Sequence, residues 1–314
     1  MSTSSTRRGE LVVVASAITF GVAGALTVVA LRTLRPADML AFELTGSALV
    51  LTLVAALTGR LHRRGALRAL AQGVVSPGLG FLLADLGLAR TSATDGSLLL
   101  GGESVLTVLL AVVLLRERIG RTGSWALVLG LGGTALVSLG AGSEPSTASD
   151  PVVGNLLVIA AVLCGAAYVV WSRRSAQPAE ESVGITAWQF IGATIAVSPF
   201  VLGSWLTGGS RFVDARPEEL LAAAAVLVCS LVGLLLFNLG IAAITASRAG
   251  LLFTLQPVAG TLTAVLVLGE TLGGAEAVGG ALIVVGVIVL TRAGRDDDAG
   301  GSPIPAPKST AIVN

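Results

Sequence analysis

The chain has one histidine, two cysteines and one tyrosine in 314 residues, and only 12% of it is charged. These shortages exclude most catalytic chemistry. A lone His62 in a basic loop offers no HExxH pair and no Ser-His-Asp set, and two cysteines cannot build a zinc cluster. No Gly-Lys-Ser/Thr loop is present to cradle nucleotide phosphates. The expectation is no enzyme, no metal and no cofactor. A net charge of +1 supplies no field for nucleic acid, so no such partner is expected. Cys164 and Cys229 fall inside apolar runs and read as packing residues.

What the chain has in excess is apolar surface: 54% of its residues are hydrophobic, beyond what a soluble domain of this length carries. A bilayer demands runs of about 20 apolar residues, each bonding its own backbone as a helix. Ten such runs lie near residues 11–31, 37–57, 70–89, 96–115, 122–140, 152–171, 183–206, 219–243, 249–268 and 275–291. The first is longer than the 7 to 15 residues of a signal-peptide core, so it reads as a retained helix. Residues 1–10 and 293–314, rich in Ser, Gly, Pro and charge, are expected as disordered tails.

A repeat orders these runs. Gly87 through Ile119 can be laid without a gap on Gly240 through Leu272, which brings Ala93 onto Ala246, Val105 onto Val258, Leu109 onto Leu262 and Glu117 onto Glu270. The fold class expected is therefore an all-α integral membrane protein of ten transmembrane helices. Residues 11–141 form the first five-helix repeat, 142–151 a connecting loop and 152–292 the second repeat. Five crossings is an odd number, so the second copy enters the membrane from the opposite side and the repeats are inverted, as in secondary transporters that bind solute between their halves. With both termini in the cytoplasm of a cell-membrane protein, the inner loops and tails receive 15 of the 20 Lys and Arg. Only Arg32, Arg35, Arg90, Arg211 and Arg216 fall outside, as the positive-inside rule requires. Trp125, Trp171 and Trp188 then mark the inner interface and Trp205 the outer one.

Shorter motifs carry a family likeness. The run Leu114-Leu115-Arg116-Glu117-Arg118-Ile119 precedes a helix with Gly130, Gly132 and Gly133. Its copy runs from Gln256-Pro257-Val258 to Leu268-Gly269-Glu270-Thr271-Leu272, followed by Gly279, Gly280 and Gly286. In these features the chain resembles the EamA-type transporters of the drug/metabolite transporter superfamily. The resemblance spans nearly everything between the tails and implies ten helices and movement of small molecules, often export of amino acids, metabolites or toxic compounds. One departure is that Ala41-Phe42-Glu43 stands where relatives often carry an arginine.

Ionisable groups inside membrane helices are costly and are functional candidates by default. Three qualify: Glu43, Asp85 and Glu103, at a similar depth below the outer ends of their helices. In the repeat register Asp85 falls on Asn238 and Glu103 on Gln256, and after a small shift Glu43 falls on Gln189. Each acid thus has an amide counterpart on the opposite side. The acids are candidates for proton coupling, Glu103 foremost, and Gln256, Asn238 and Gln189, with Glu103, for binding a small-molecule substrate. The plainer alternative is a packing acid bonded to Ser104, Thr107, Ser47 or Thr45. Pro257 should interrupt its helix beside Gln256, and Gly101 with Gly102 should loosen the matching helix before Glu103; paired breaks mark binding sites in such folds. Pro77 and Pro199 lack a paired break. Glu117 and Glu270 read as structural, accepting hydrogen bonds from the amino end of the next helix. Tyr168 and Trp171 are candidates for stacking on a solute, with Trp171, beside Arg173, the better interface anchor.

The reading is a secondary transporter that exports a small organic solute, coupled to protons, in contact with the lipid bilayer. The alternatives are a facilitative channel or uniporter without ion coupling, and a membrane-embedded lipid-modifying enzyme.

Overall fold

The computed structural model describes residues 3–88, 90, 99–140, 150–269 and 273–293, and among these no strand occurs. The helices are α1 (Thr3–Ala30), α2 (Pro36–Leu57), α3 (Ala66–Gly73), α4 (Gly80–Leu88), α5 (Glu103–Leu115), α6 (Arg121–Gly140), α7 (Pro151–Arg174), α8 (Ser182–Gly208), α9 (Pro217–Ile241), α10 (Ala246–Phe253), α11 (Leu255–Thr263) and α12 (Gly274–Ala293). A π-helical turn, Val74–Leu79, joins α3 to α4, and α11 runs into another, Ala264–Leu268.

Eight stretches among the described residues are long and apolar enough to cross a bilayer, and Leu99–Leu115 is apolar but shorter. The other expected crossing is α6, a 20-residue helix outside these eight. Side chains on the outer faces are those of a lipid-exposed surface: Leu206 is 88% and Leu266 82% exposed, which water would penalise and acyl chains do not.

Helix starts follow from local chemistry. At α2 and α9 a proline occupies the first turn, where its missing N–H costs nothing, and an acid three residues past the cap reaches back to the cap backbone. Asp38 accepts from Arg35 N at 3.1 Å and Glu219 from Arg216 N at 2.9 Å.

The packing has internal two-fold logic. Let α1, α2, α3 with α4, α5 and α6 form one set, and α7, α8, α9, α10 with α11 and α12 the other. Exchanging counterparts maps the contacts onto themselves: α1 lies on α9 as α7 lies on α4, α1 on α11 as α7 on α5, and α2 on α9 as α8 on α3. The pairs α2 with α8, α5 with α10 and α6 with α12 join counterpart to counterpart. Where they meet, counterparts run antiparallel. Trp205 near the end of α8 donates to Asp38 at the start of α2, whereas Gly184 at the start of α8 lies against Arg60 just past α2. The α6–α12 crossing is close because both sides offer glycine: a Cβ on Gly133 would lie 2.5 Å from the Gly279 carbonyl, and the reverse holds.

This arrangement gathers the loops rich in arginine, including Arg60, Arg63, Arg64, Arg116, Arg174 and Arg248, at one end of the bundle. Arg32, Arg35, Arg90, Arg211 and Arg216 lie at the other.

α1 begins at Thr3, within the stretch expected as a disordered tail. Gly9 packs against Gly240 and Ala243, and the 4% exposed Glu10 forms an ion pair with Arg248. A polar start to the helix is held by a basic residue 238 positions away, which local composition does not reveal. The connecting loop is expected over residues 142–151, but α7 already starts at Pro151, capped by Asp150, which accepts from Val153 N at 3.2 Å. The rest of that loop and the tail beyond Ala293 lie outside the described residues.

Candidate functional site

Three elements of the first repeat each deliver one carboxyl to the same place. α2 carries Glu43 two turns past its proline start, α4 carries Asp85 in its second turn, and α5 begins at Glu103. All three line a cavity of about 240 Å³ between the repeats. α9 adds Ser230, α7 adds Gly165 and Tyr168, and the segment before Pro257 adds Gln256. Phe20, Phe237 and Phe253 close its deep end as a ring cluster, with centroids 5.8 to 6.2 Å apart, and Tyr168 stands 5.5 Å from Phe237. Among the described residues, no arginine, lysine or histidine lines the space.

The three acids differ in their partners. Glu43 is 6% exposed and its Oε1 accepts a short hydrogen bond from the Ser230 hydroxyl. Asp85 lies within electrostatic reach of Glu43. Neither Asp85 nor Glu103 has a hydrogen-bond partner among the described residues. Glu103 has room because residue 165 is glycine: a Cβ there would lie 2.5 Å from Glu103 Oε1 and 2.7 Å from its Cδ.

Two helix interruptions lie around this site. Leu99–Leu115 leaves regular helix at Gly102 (φ −65°, ψ −15°), immediately before Glu103. In the other repeat, α10 and α11 part at Thr254 (φ −60°, ψ −15°), two residues before Gln256. Pro257 accounts for the second break, since without an N–H it cannot bond the Phe253 carbonyl one turn back. A third break exceeds the expectation for Pro77. Ser76 is extended (φ −155°, ψ 130°) inside the run joining α3 to α4, and both Ser76 and Pro77 line the cavity.

The amide set divides. Gln256 lines the cavity, whereas Gln189 and Asn238 lie outside its lining, toward the arginine-rich end, bonded to each other. Asn238 Nδ2 donates to Gln189 Oε1 at 2.7 Å and to Thr186 Oγ1 at 2.9 Å. Gln189 Nε2 donates to Gln72 Oε1 at 3.2 Å, and Gln72 Nε2 to Ser175 Oγ at 2.9 Å. The Tyr168 hydroxyl donates to Gln189 Oε1 at 3.3 Å, so one tyrosine joins the cavity floor to this network. Trp171 is not in the cavity; it borders a shallow basic groove with Arg63, Arg64 and Arg68.

Glu117 accepts from Ala246 N at 2.9 Å, Ser247 N at 2.8 Å and Ser247 Oγ at 2.7 Å. It therefore caps a helix, but the helix is α10 of the other repeat rather than the next one in sequence. The reason is packing: α5 runs antiparallel to α10, so the end of one meets the start of the other. Glu270 lies outside the described residues. Arg173 and Arg248 strengthen the same end, donating to the carbonyls of Ala242 at 3.0 Å and Leu290 at 3.2 Å.

Ser230 and the Ser76–Pro77 break are the site features that sequence reasoning missed. Ser76-Pro77-Gly78 in an apolar run was the available signal for the break. Ser230 falls on Pro77 in the repeat register, which offers none for its bond to Glu43.

A helical bundle of two matching sets, with apolar outer faces and a cavity between the sets, is that of a multi-pass membrane transporter. The EamA-like transporter family matches residues 7–139 and again residues 152–292, and the chain belongs to that family. Over 208 residues the chain is 26% identical to the uncharacterized transporter YyaM of Bacillus subtilis (strain 168), spanning 66% of this chain and 67% of that protein. The permease-like YdzE of the same organism is 41% identical over 58 residues, 18% of this chain and 74% of its own length. A solved crystal structure sharing 22% identity superposes with a TM-score of 0.75 over 94% of this chain and 99% of its own, a likeness of fold.

Proposed function

We propose that this protein is a secondary transporter that exports a small organic solute across the cytoplasmic membrane in exchange for protons. In this reading ten helices cross the bilayer as two inverted repeats, with both termini and the arginine-rich end in the cytoplasm. The observation that carries the proposal is the meeting of Glu43, Asp85 and Glu103 from one repeat with Gln256 from the other around a single cavity. Carboxyls in such a place bind and release protons, while the breaks before Glu103 and Gln256 free backbone groups for a solute. The cavity lies in the half away from the arginine-rich end. The bonded amides, the Glu117 cap and the arginine contacts form the barrier on the cytoplasmic side, which must part for solute to enter.

The test is uptake of a pooled metabolite and amino-acid mixture into proteoliposomes under an imposed pH gradient, read by mass spectrometry, for wild type and Glu103→Gln. The proposal expects a compound that accumulates with the gradient in wild type and loses that dependence in the variant. Accumulation independent of the gradient in both would favour a uniporter or channel and contradict the coupling.

A further inference from the structure

We propose that the cavity selects organic cations with a compact apolar or aromatic body, such as a primary arylalkylamine, and that each cation bound displaces one proton from Asp85 or Glu103. This inference rests on the transport reading of the site and names its substrate class.

The buried acids elsewhere provide the contrast. Asp38 accepts from Trp205 Nε1, Arg35 N and Arg211 N, and Glu219 from Arg216 N and Thr33 Oγ1. Glu117 takes three donors from α10. Their oxygens are supplied by the fold. In the cavity, Asp85 and Glu103 have no donor among the described residues, and Glu43, though 6% exposed, is bonded only through Oε1, which leaves Oε2 without one. Asp85 and Glu103 are half-buried and face the cavity itself, so a group bound there has to supply the partner, and the partner that suits a carboxylate is positive.

The remainder of the lining describes the rest of the ligand. With no basic side chain among the described lining residues, the space offers a carboxylate or phosphate hydroxyl and amide donors but no counter-charge, beside three acids. A zwitterion would carry one end into the same repulsion. The rings of Phe20, Tyr168, Phe237 and Phe253 offer faces to an apolar body and to an adjacent cation. The volume of about 240 Å³ lies below the range of about 300 to 1,000 Å³ typical of drug-sized ligands, which limits the body to a small one.

Proton exchange follows from the same groups. The titratable side chains in the lining are Glu43 on α2, Asp85 on α4, Glu103 on α5 and Tyr168 on α7, and Cys229 on α9 lies within electrostatic reach of Glu43. In the proposed exchange one carboxyl of the empty cavity carries a proton. When an ammonium enters, one carboxyl O–H bond breaks, the proton leaves to solvent, and the carboxylate pairs with the cation. Charge and atoms balance without another reactant.

Purified full-length protein in detergent micelles and weak buffer is titrated with 2-phenylethylammonium, phenylacetate and L-phenylalanine, following heat and, with an indicator dye, released protons. The inference expects 2-phenylethylammonium to bind with release of a proton, and the other two to bind at least about tenfold more weakly. The double variant Asp85→Asn with Glu103→Gln, close in shape to wild type, should lose proton release and bind the cation at least about tenfold more weakly. Selectivity of the unaltered protein is read independently of any variant. Equal or tighter binding of phenylacetate or phenylalanine, absence of cation binding, or wild-type proton release in the double variant would overturn the inference. Cation binding with proton release but no gradient-driven uptake in proteoliposomes would overturn the transport reading alone; gradient-driven uptake of an anion would overturn only the cation assignment.

Discussion

The two ends of this bundle are built from copies of one unit yet handle polarity in opposite ways. Toward the end with few arginines, Asp85 and Glu103 line a cavity with no hydrogen-bond partner among the described residues. Toward the arginine-rich end, Gln189 and Asn238, the counterparts of Glu43 and Asp85, bond each other, Thr186, Tyr168 and Gln72 in a closed network, while Gln256, the counterpart of Glu103, stays in the cavity lining. An amide both donates and accepts, so amides can satisfy one another and shut a passage. Ionised carboxyls only accept, so they need a proton or a cation and keep the space open to one. In the proposed mechanism, the acids Glu43 and Asp85 belong to a binding end and their amide counterparts Gln189 and Asn238 to a barrier end.

Four tests sharpen or break this comparison. The largest effect is expected from Gly73→Val at the barrier end, where a Cβ would run into the Gln189 backbone and cost about 3 kcal/mol. A Cβ added at Gly24 in the cavity wall meets nothing within 4 Å, so Gly24→Val should leave the melting temperature in detergent nearly unchanged. A similar drop for both would mean that the cavity is as tightly filled as the barrier. Next, Glu117→Ala strips three hydrogen bonds from the start of α10 and should cost about 2 kcal/mol by thermal unfolding. An unchanged midpoint would show that water replaces the cap and that the barrier end is loosely held. Third, Asn238→Leu should lower stability by about 1 kcal/mol, since it leaves Gln189 and Thr186 with one partner fewer, whereas its counterpart Asp85→Asn loses no bond and stays within about 0.5 kcal/mol. Equal losses would erase the distinction between the two ends. The smallest stability change is expected from Gly165→Ala, because the Glu103 carboxyl can swing away. Its signature is a weakened dependence of uptake on the pH gradient, measured in proteoliposomes, with unfolding unchanged.

Much of the fold was legible from residue patterns. An ungapped register of apolar positions predicts that the chain repeats, and the helix contacts map onto themselves under that exchange. The three acids stood out because charge inside an apolar run is costly enough to need a reason. What those residues touch was less accessible. Ser230 bonds Glu43 across 187 positions, and a serine in a membrane helix is too common to announce such a contact. Gln189 and Asn238 have the expected chemistry, but whether an amide faces a cavity or a neighbouring helix depends on the rotation of whole helices, which periodicity leaves open. Glu117 reveals its capping role by type, while the identity of the capped helix depends on the antiparallel meeting of α5 and α10. The start of α1 was missed for the same reason: Glu10 is fixed by Arg248, far along the chain.

The central claim, that solute bound among the acids passes when the arginine-rich end parts, is tested most directly by bridging that end. In a Glu117→Cys, Ser247→Cys variant with Cys164 and Cys229 replaced by alanine, a methylene-spaced bis-thiosulfonate restores the reach of the Glu117 side chain and ties α5 to α10. The account predicts that bridging stops gradient-driven uptake in proteoliposomes, leaves binding of 2-phenylethylammonium in detergent intact, and is reversed by reductant. Uptake that continues at the unbridged rate with the link in place would contradict it.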